Sequence, residues 1–77
     1  MEKLKEIINE VLLNSELEAV ERLESSKLLT NDLGMDSLML AELTVRIEME
    51  FGIDIFEDGI VTTVGEIIAK LGLNNNE

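Results

Sequence analysis

The stretch Asp36-Ser37-Leu38-Met39-Leu40-Ala41-Glu42-Leu43-Thr44-Val45-Arg46-Ile47-Glu48-Met49-Glu50-Phe51-Gly52 decides the fold. Asp36 carries a short carboxylate, suited to accept from the unpaired N–H groups of a first helical turn. Gly52 supplies the left-handed residue on which helices commonly end. At about 100° per residue, Leu40, Leu43, Thr44, Ile47 and Phe51 share one arc, wide enough to be a core face. Leu38, Val45 and Met49 lie on the opposite side, with Ala41 nearby, Glu42 and Glu48 flanking them and Arg46 further round. The helix therefore has one apolar stripe more than a small bundle needs. Scattered exposed apolar residues are ordinary, and a long loop could cover some of them. The sharper reading is a partner-docking surface, an apolar strip rimmed by carboxylates that steer it toward a basic groove.

Outward from this helix, the chain keeps helical periodicity and shows no sustained alternation of period two. Leu4, Ile7, Ile8, Val11 and Leu12 form one stripe and predict a first helix from Glu2 to Leu13. Asn14-Ser15 breaks it. Ser15 and Glu18 have capping-box spacing, so Leu17, Val20 and Leu23 could form a short turn beyond. Residues 15–35 are read as a long connection pinned by Leu28, Leu29 and Leu33, and connections of that length are often functional. After Gly52, Ile53 and Ile55 are expected as buried anchors, and 57–61 as one irregular helical turn. Thr63-Val64-Gly65-Glu66 is a capping box that opens a last helix with Val64, Ile67, Ile68 and Leu71 inward and Gly72 as its stop. The expectation is an all-α, up-down four-helix bundle, with three main helices, a turn-like third helix and a long first loop. It occupies residues 1–73, and the polar tail 74–77 is expected to be disordered.

Composition narrows the function. Seventy-seven residues make one small domain, and a chain this short buries only about 60% of its unfolded surface. Cys is 0, which removes disulfides, thiolate nucleophiles and Cys-ligated zinc. His is 0, which removes the usual near-neutral acid or base. Six Lys+Arg against 17 Asp+Glu leave a net charge of −11. That charge repels nucleic acid and anionic lipid and favours basic partners. Hydrophobic content of 45% is too high for a disordered acidic chain. Aromatics are only 3%, so aliphatic side chains must supply the core. No apolar run approaches the length of a membrane span, and Met1-Glu2-Lys3-Leu4-Lys5-Glu6 has no signal-peptide core. A cytoplasmic, monomeric binding module fits these numbers better than a free-standing enzyme.

Ser37 falls in the first turn of the central helix, where the helix dipole favours an attached phosphate. It is a poor nucleophile, because no His is present to deprotonate it and the Lys residues lie elsewhere. On local sequence alone, Asp36 and Ser37 simply cap a helix. However, Asp32-Leu33-Gly34-Met35-Asp36-Ser37-Leu38 resembles the D-L-G-x-D-S-L signature of acyl carrier proteins and related peptidyl carrier domains. Glu42-Leu43 and Ile47-Glu48-Met49-Glu50-Phe51-Gly52-Ile53 are similar to that family's second helix, and Thr62-Thr63-Val64-Gly65-Glu66-Ile67 resembles its entry to the last one. The resemblance covers nearly the whole chain.

It implies a covalent shuttle. A phosphopantetheinyl transferase, supplying its own metal and base, would move 4'-phosphopantetheine from coenzyme A onto Ser37. The thiol of that arm would carry acyl intermediates between enzymes of fatty-acid, polyketide or specialised acyl pathways, or aminoacyl and peptidyl groups. A chain without Cys can handle thioesters only through such a borrowed thiol. By the same resemblance, Asp36 contacts the transferase site, Glu42 and Glu48 belong to an acidic recognition helix, and Leu38 and Val45 make apolar contacts beside them. Met49 completes the docking face toward synthases and loading enzymes with basic patches. The remaining alternative is a non-covalent acidic module in which Ser37 only caps the helix.

Several residues depart from the family pattern. Met39 and Leu40 stand where polar residues are common, Met49 where an acid is frequent, and Phe56 where many members have Pro. Thr30-Asn31 lack the acids usual before the motif, and 56–61 is short for a third helix. These differences make the docking face more apolar, as in carriers dedicated to specialised pathways. An EF-hand beginning at Asp54 fails, because Phe56 falls on a ligand position and Gly65 where the bidentate Glu belongs. Mutual repulsion among Glu48, Glu50, Asp54, Glu57 and Asp58 leaves weak divalent binding as an expectation, with no defined metal site.

Overall fold

The computed structural model describes residues 1–73, so the tail 74–77 lies outside the described residues. Among them are three helices: α1 Glu2–Asn14, α2 Ser37–Phe51 and α3 Val64–Leu71. Among the described residues there is no strand, only an isolated antiparallel bridge between Leu28 and Thr63. The chain is all-helical, as its periodicity predicts. The turn-like third helix expected at 57–61 takes the form of turns: Glu57 N–H donates to Asp54 O and Gly59 N–H to Phe56 O, with Gly59 at φ +138°. A side chain of Asp54 that accepts from Phe56 N–H, followed so soon by a glycine outside the helical region, favours a turn over a helix.

The core is aliphatic and draws on every helix. Leu4, Ile8, Val11 and Leu12 of α1, Leu43 and Ile47 of α2 and Val64 and Ile67 of α3 are essentially fully buried, and among the described residues no polar or charged one joins them. The buried row of α2 is Met39, Leu43 and Ile47, while Leu40, Thr44 and Phe51 are half-buried. The inward face is thus rotated by about one position from the expected arc, because Met39 fills space that the pattern assigns to Leu40. Ile55 is buried as expected, but Ile53 is exposed.

The start and stop signals of α2 and α3 behave as the sequence implies. Asp36 Oδ1 accepts from Met39 N–H at 2.9 Å, and Gly52 closes α2 at φ +73°. The Thr63–Glu66 capping box is complete, and Gly72 ends α3 at φ +70°. The end of α1 differs. Ser15 does not open a new turn; it is the C-cap of α1. Glu16 N–H donates to Leu13 O and Leu17 N–H to Leu12 O, with Glu16 in the left-handed region at φ +64°. This is the helix-ending pattern in which glycine is the usual occupant. It turns Leu17 back onto the core.

The long connection is held by polar bonds as much as by apolar pins. Asn9 of α1 grips Val20 twice, its Oδ1 accepting from Val20 N–H at 2.8 Å and its Nδ2 donating to Val20 O at 3.0 Å. Lys5 Nζ donates to Glu21 O. Leu23 and Leu29 are buried, whereas Leu28 and Leu33 are half-buried. The loop then runs along the start of α3. Leu29 N–H donates to Thr62 O, Val64 N–H to Lys27 O and Gly65 N–H to Ser25 O. Gly65 permits this approach, since a Cβ there would lie 3.0 Å from Ser25 O.

Two tests follow from the backbone. Glu16→Gly is expected to stabilise the fold by up to about 1 kcal/mol, because a side chain in the left-handed region costs roughly that much. Gly34→Ala is expected to destabilise it by about 1 kcal/mol or more, since Gly34 sits at φ +86° with Leu17 Cδ1 only 3.3 Å from an added Cβ. Urea midpoints moving in the same direction for both variants would contradict this account.

A third test concerns pH. Backbone and hydroxyl hydrogen bonds from Thr62, then the backbone N–H of Thr63, hold the Glu66 carboxyl below its ordinary value of 4.5. A carboxylate with a lowered folded-state pKa stabilises the fold fully above its unfolded value and loses that contribution as pH falls through the folded one. Acidification from neutral to below 4.5 should therefore destabilise the wild type more than Glu66→Gln. Denaturation curves with equal pH slopes for the two proteins would refute the assignment.

Candidate functional site

The residues from Asp32 to Leu38 have separable structural roles. Asp32 Oδ2 accepts from Leu28 N–H at 2.7 Å, while Asp32 N–H and Leu33 N–H both donate back to Leu28 O. Gly34 takes the positive φ that reverses the chain, and its N–H donates to Thr30 O. Met35 is buried, and its N–H donates to Leu29 O at 3.0 Å. Asp36 caps α2. Ser37 and Leu38 then emerge into solvent, Leu38 at 78% exposure. A tight loop fastened at Leu28 and Met35 thus leads to an exposed hydroxyl on the first residue of a fifteen-residue helix.

The other serines lack this setting. Ser15 caps the C-terminal end of α1, where the helix dipole disfavours a phosphate. Ser25 is half-buried with its carbonyl committed to Gly65, and Ser26 lies in a turn. Ser37 alone has an exposed hydroxyl at a helix N-terminus, where an attached phosphodiester would meet the positive end of the dipole. The residues present therefore fit a phosphate-linked group. No His or Cys is available to activate the hydroxyl.

The second stripe of α2 stands free of the core. Val45 is 54% and Met49 83% exposed, on the same side of the helix as Leu38. Glu48 is exposed. Glu42 is half-buried and engaged: its Oε2 accepts from Arg46 Nε at 3.0 Å, and Arg46 also reaches Glu10 Oε1 of α1 at 3.1 Å. Val45 and Met49 border an open groove between α1 and α2 that Ile7 floors. Exposed Ile60, at 81%, adds apolar surface that periodicity could not reveal, because it lies in the irregular segment after α2. Among the described residues no group of three or more His, Cys, Asp or Glu side chains converges as metal ligands. Also among them, no helix is long and apolar enough to cross a membrane.

Comparison with known proteins agrees with this geometry. A family model described as a phosphopantetheine attachment site matches residues 2–71. The chain is 36% identical over 71 residues to an acyl carrier protein of Thermotoga maritima, covering 90% of this chain and 83% of that one. No solved structure is a significant match. Members of the family work with the transferases that modify them and the synthases they serve. A family-model match over almost the full described length, with a relative above a third identical, makes this chain a member of the phosphopantetheine-attachment carrier family, whose members are carriers of covalent 4'-phosphopantetheine and not enzymes.

Proposed function

We propose that the chain is a discrete acyl carrier protein whose 4'-phosphopantetheine is attached through Ser37. The observation that carries this reading is the exposed hydroxyl at the N-terminus of α2, presented by a loop anchored on both sides. In the attachment, a bond forms between Ser37 Oγ and the phosphorus of coenzyme A that bears the pantetheine arm. The phosphoanhydride bond of coenzyme A breaks, the nucleotide bisphosphate leaves, and the serine proton passes to the transferase's base. Asp36 keeps the first turn of α2 in register while the transferase engages it. The likeness to a curated acyl carrier supports acyl groups as cargo, in fatty-acid, polyketide or specialised acyl synthesis, over aminoacyl or peptidyl groups.

The exposed stripe Leu38, Val45 and Met49, with Glu48 and Glu42 beside it, supplies the docking face for the transferase and for synthases with basic patches. Glu48 is the more available carboxylate, since Glu42 is shared with Arg46. The carrier domain spans residues 1–73, acts as a monomer and works in the cytoplasm. The turns at 54–59 stand in for the third helix of an up-down four-helix bundle.

Incubation with coenzyme A and a promiscuous transferase should add one phosphopantetheine to the wild type and none to Ser37→Ala, as read by intact mass. Ser37→Ala should retain its fold, because Asp36 and not Ser37 makes the cap bond. A modified Ser37→Ala chain would refute the attachment site. Val45→Asp and Glu48→Lys should raise the KM for loading while changing stability by only about 0.5 kcal/mol, as exposed positions do. Unfolding of Val45→Asp would mean that the stripe belongs to the core.

A further inference from the structure

We infer that Glu66, at the start of α3, is a positioning residue for the Ser37 hydroxyl, an inference that rests on the reading of Ser37 above. Glu66 lies far from Ser37 in sequence, but a short series of backbone bonds joins them. Its Oε1 accepts from Thr62 N–H at 2.8 Å, Thr62 Oγ1 at 2.9 Å and Thr63 N–H at 3.0 Å. This gathers 62–63 into one rigid bend ahead of the helix. The Thr62 carbonyl of that bend accepts from Leu29 N–H at 2.9 Å. Leu29 O in turn accepts from Met35 N–H at 3.0 Å, and Met35 directly precedes the cap residue Asp36.

Leu29 N–H to Thr62 O is the backbone bond that joins residues 28–36 to the bend ahead of α3. Leu28 and Leu33 are only half-buried, and the turn closed by Asp32 is internal to the loop, so it sets local shape without docking it on the bundle. Docking comes from buried Leu29 and Met35 and from the seam with the segment that Glu66 holds. Releasing that segment allows the loop to leave its docked register, and a contiguous hydrogen-bonded network carries the change to the start of α2. A transferase that requires the docked register then meets fewer competent molecules. Its apparent affinity falls by the fraction lost, while turnover of bound carrier is spared.

The test compares loading kinetics of Glu66→Ala, Glu66→Gln and Glu18→Ala. Glu18 is an exposed loop acid and controls for the lost charge. Glu66→Ala should lower kcat/KM by up to about five-fold, the weight that one lost cap interaction has in the docking equilibrium, through KM and with kcat preserved. Glu66→Gln, which keeps an acceptor oxygen, should load like the wild type. Amide exchange should quicken at Leu29 and Met35 in Glu66→Ala and stay unchanged in the middle of α1 and α2. If Glu66→Ala unfolds, Thr62→Val, which removes one donor, should give a smaller change in the same direction. Loading of a folded Glu66→Ala at the Glu18→Ala rate overturns the inference, as does a loss that Gln fails to restore. Failure of the wild type to load at all would instead refute the reading of Ser37.

Discussion

Backbone bonds between residues 25–29 and 62–65 are the constraint on which the arrangement depends. Three short helices supply an aliphatic core in which, among the described residues, no polar side chain is buried, but residues 15–36 must cross the bundle without being helical. Irregular chain in a small domain keeps its place only if its amide groups find partners. Here they find the bend ahead of α3, the turn closed by Asp32 and the side chain of Asn9. The loop that ends at Ser37 is therefore fastened to the last helix as much as to the helix it introduces.

This fastening suits a covalent carrier. The chain has neither Cys nor His, so in the proposed function Ser37 is the nucleophile and the base belongs to the transferase. The chain's contribution is presentation: an exposed hydroxyl at the positive end of α2, next to an exposed Leu38. The same helix turns Met39, Leu43 and Ile47 inward and leaves Val45 and Met49 outside. One short segment thus serves as core element and, in the proposed function, as attachment point and partner-facing surface. The net charge of −11 makes association with basic surfaces fast and salt-dependent, without selecting among them.

Much of this was legible in the residues because the signals are local. Asp36, Gly52, the Thr63–Glu66 box and Gly72 act within one turn of their own position, and each behaves as its chemistry implies. The outward stripe of Leu38, Val45 and Met49 was legible from helical spacing alone. What the sequence hid depends on contacts between distant segments. Ser15 and Glu18 have the spacing of a helix start, yet Leu17 packs back on the core and the chain ends α1 there instead. Met39 takes the inward place assigned to Leu40, and Ile53 stays outside once 54–59 turns rather than winding into a helix. Asn9 looks like any polar residue on a helix until Val20 is placed beside it.

The attachment residue can be read directly from a modified chain. Cleavage after Lys27 and Arg46 releases a peptide, 28–46, in which Ser37 is the only serine. Fragmentation of that peptide after loading from coenzyme A should place the phosphopantetheine mass on Ser37. The same mass on the peptides holding Ser15, Ser25 or Ser26, or on Thr30 or Thr44, would contradict the account.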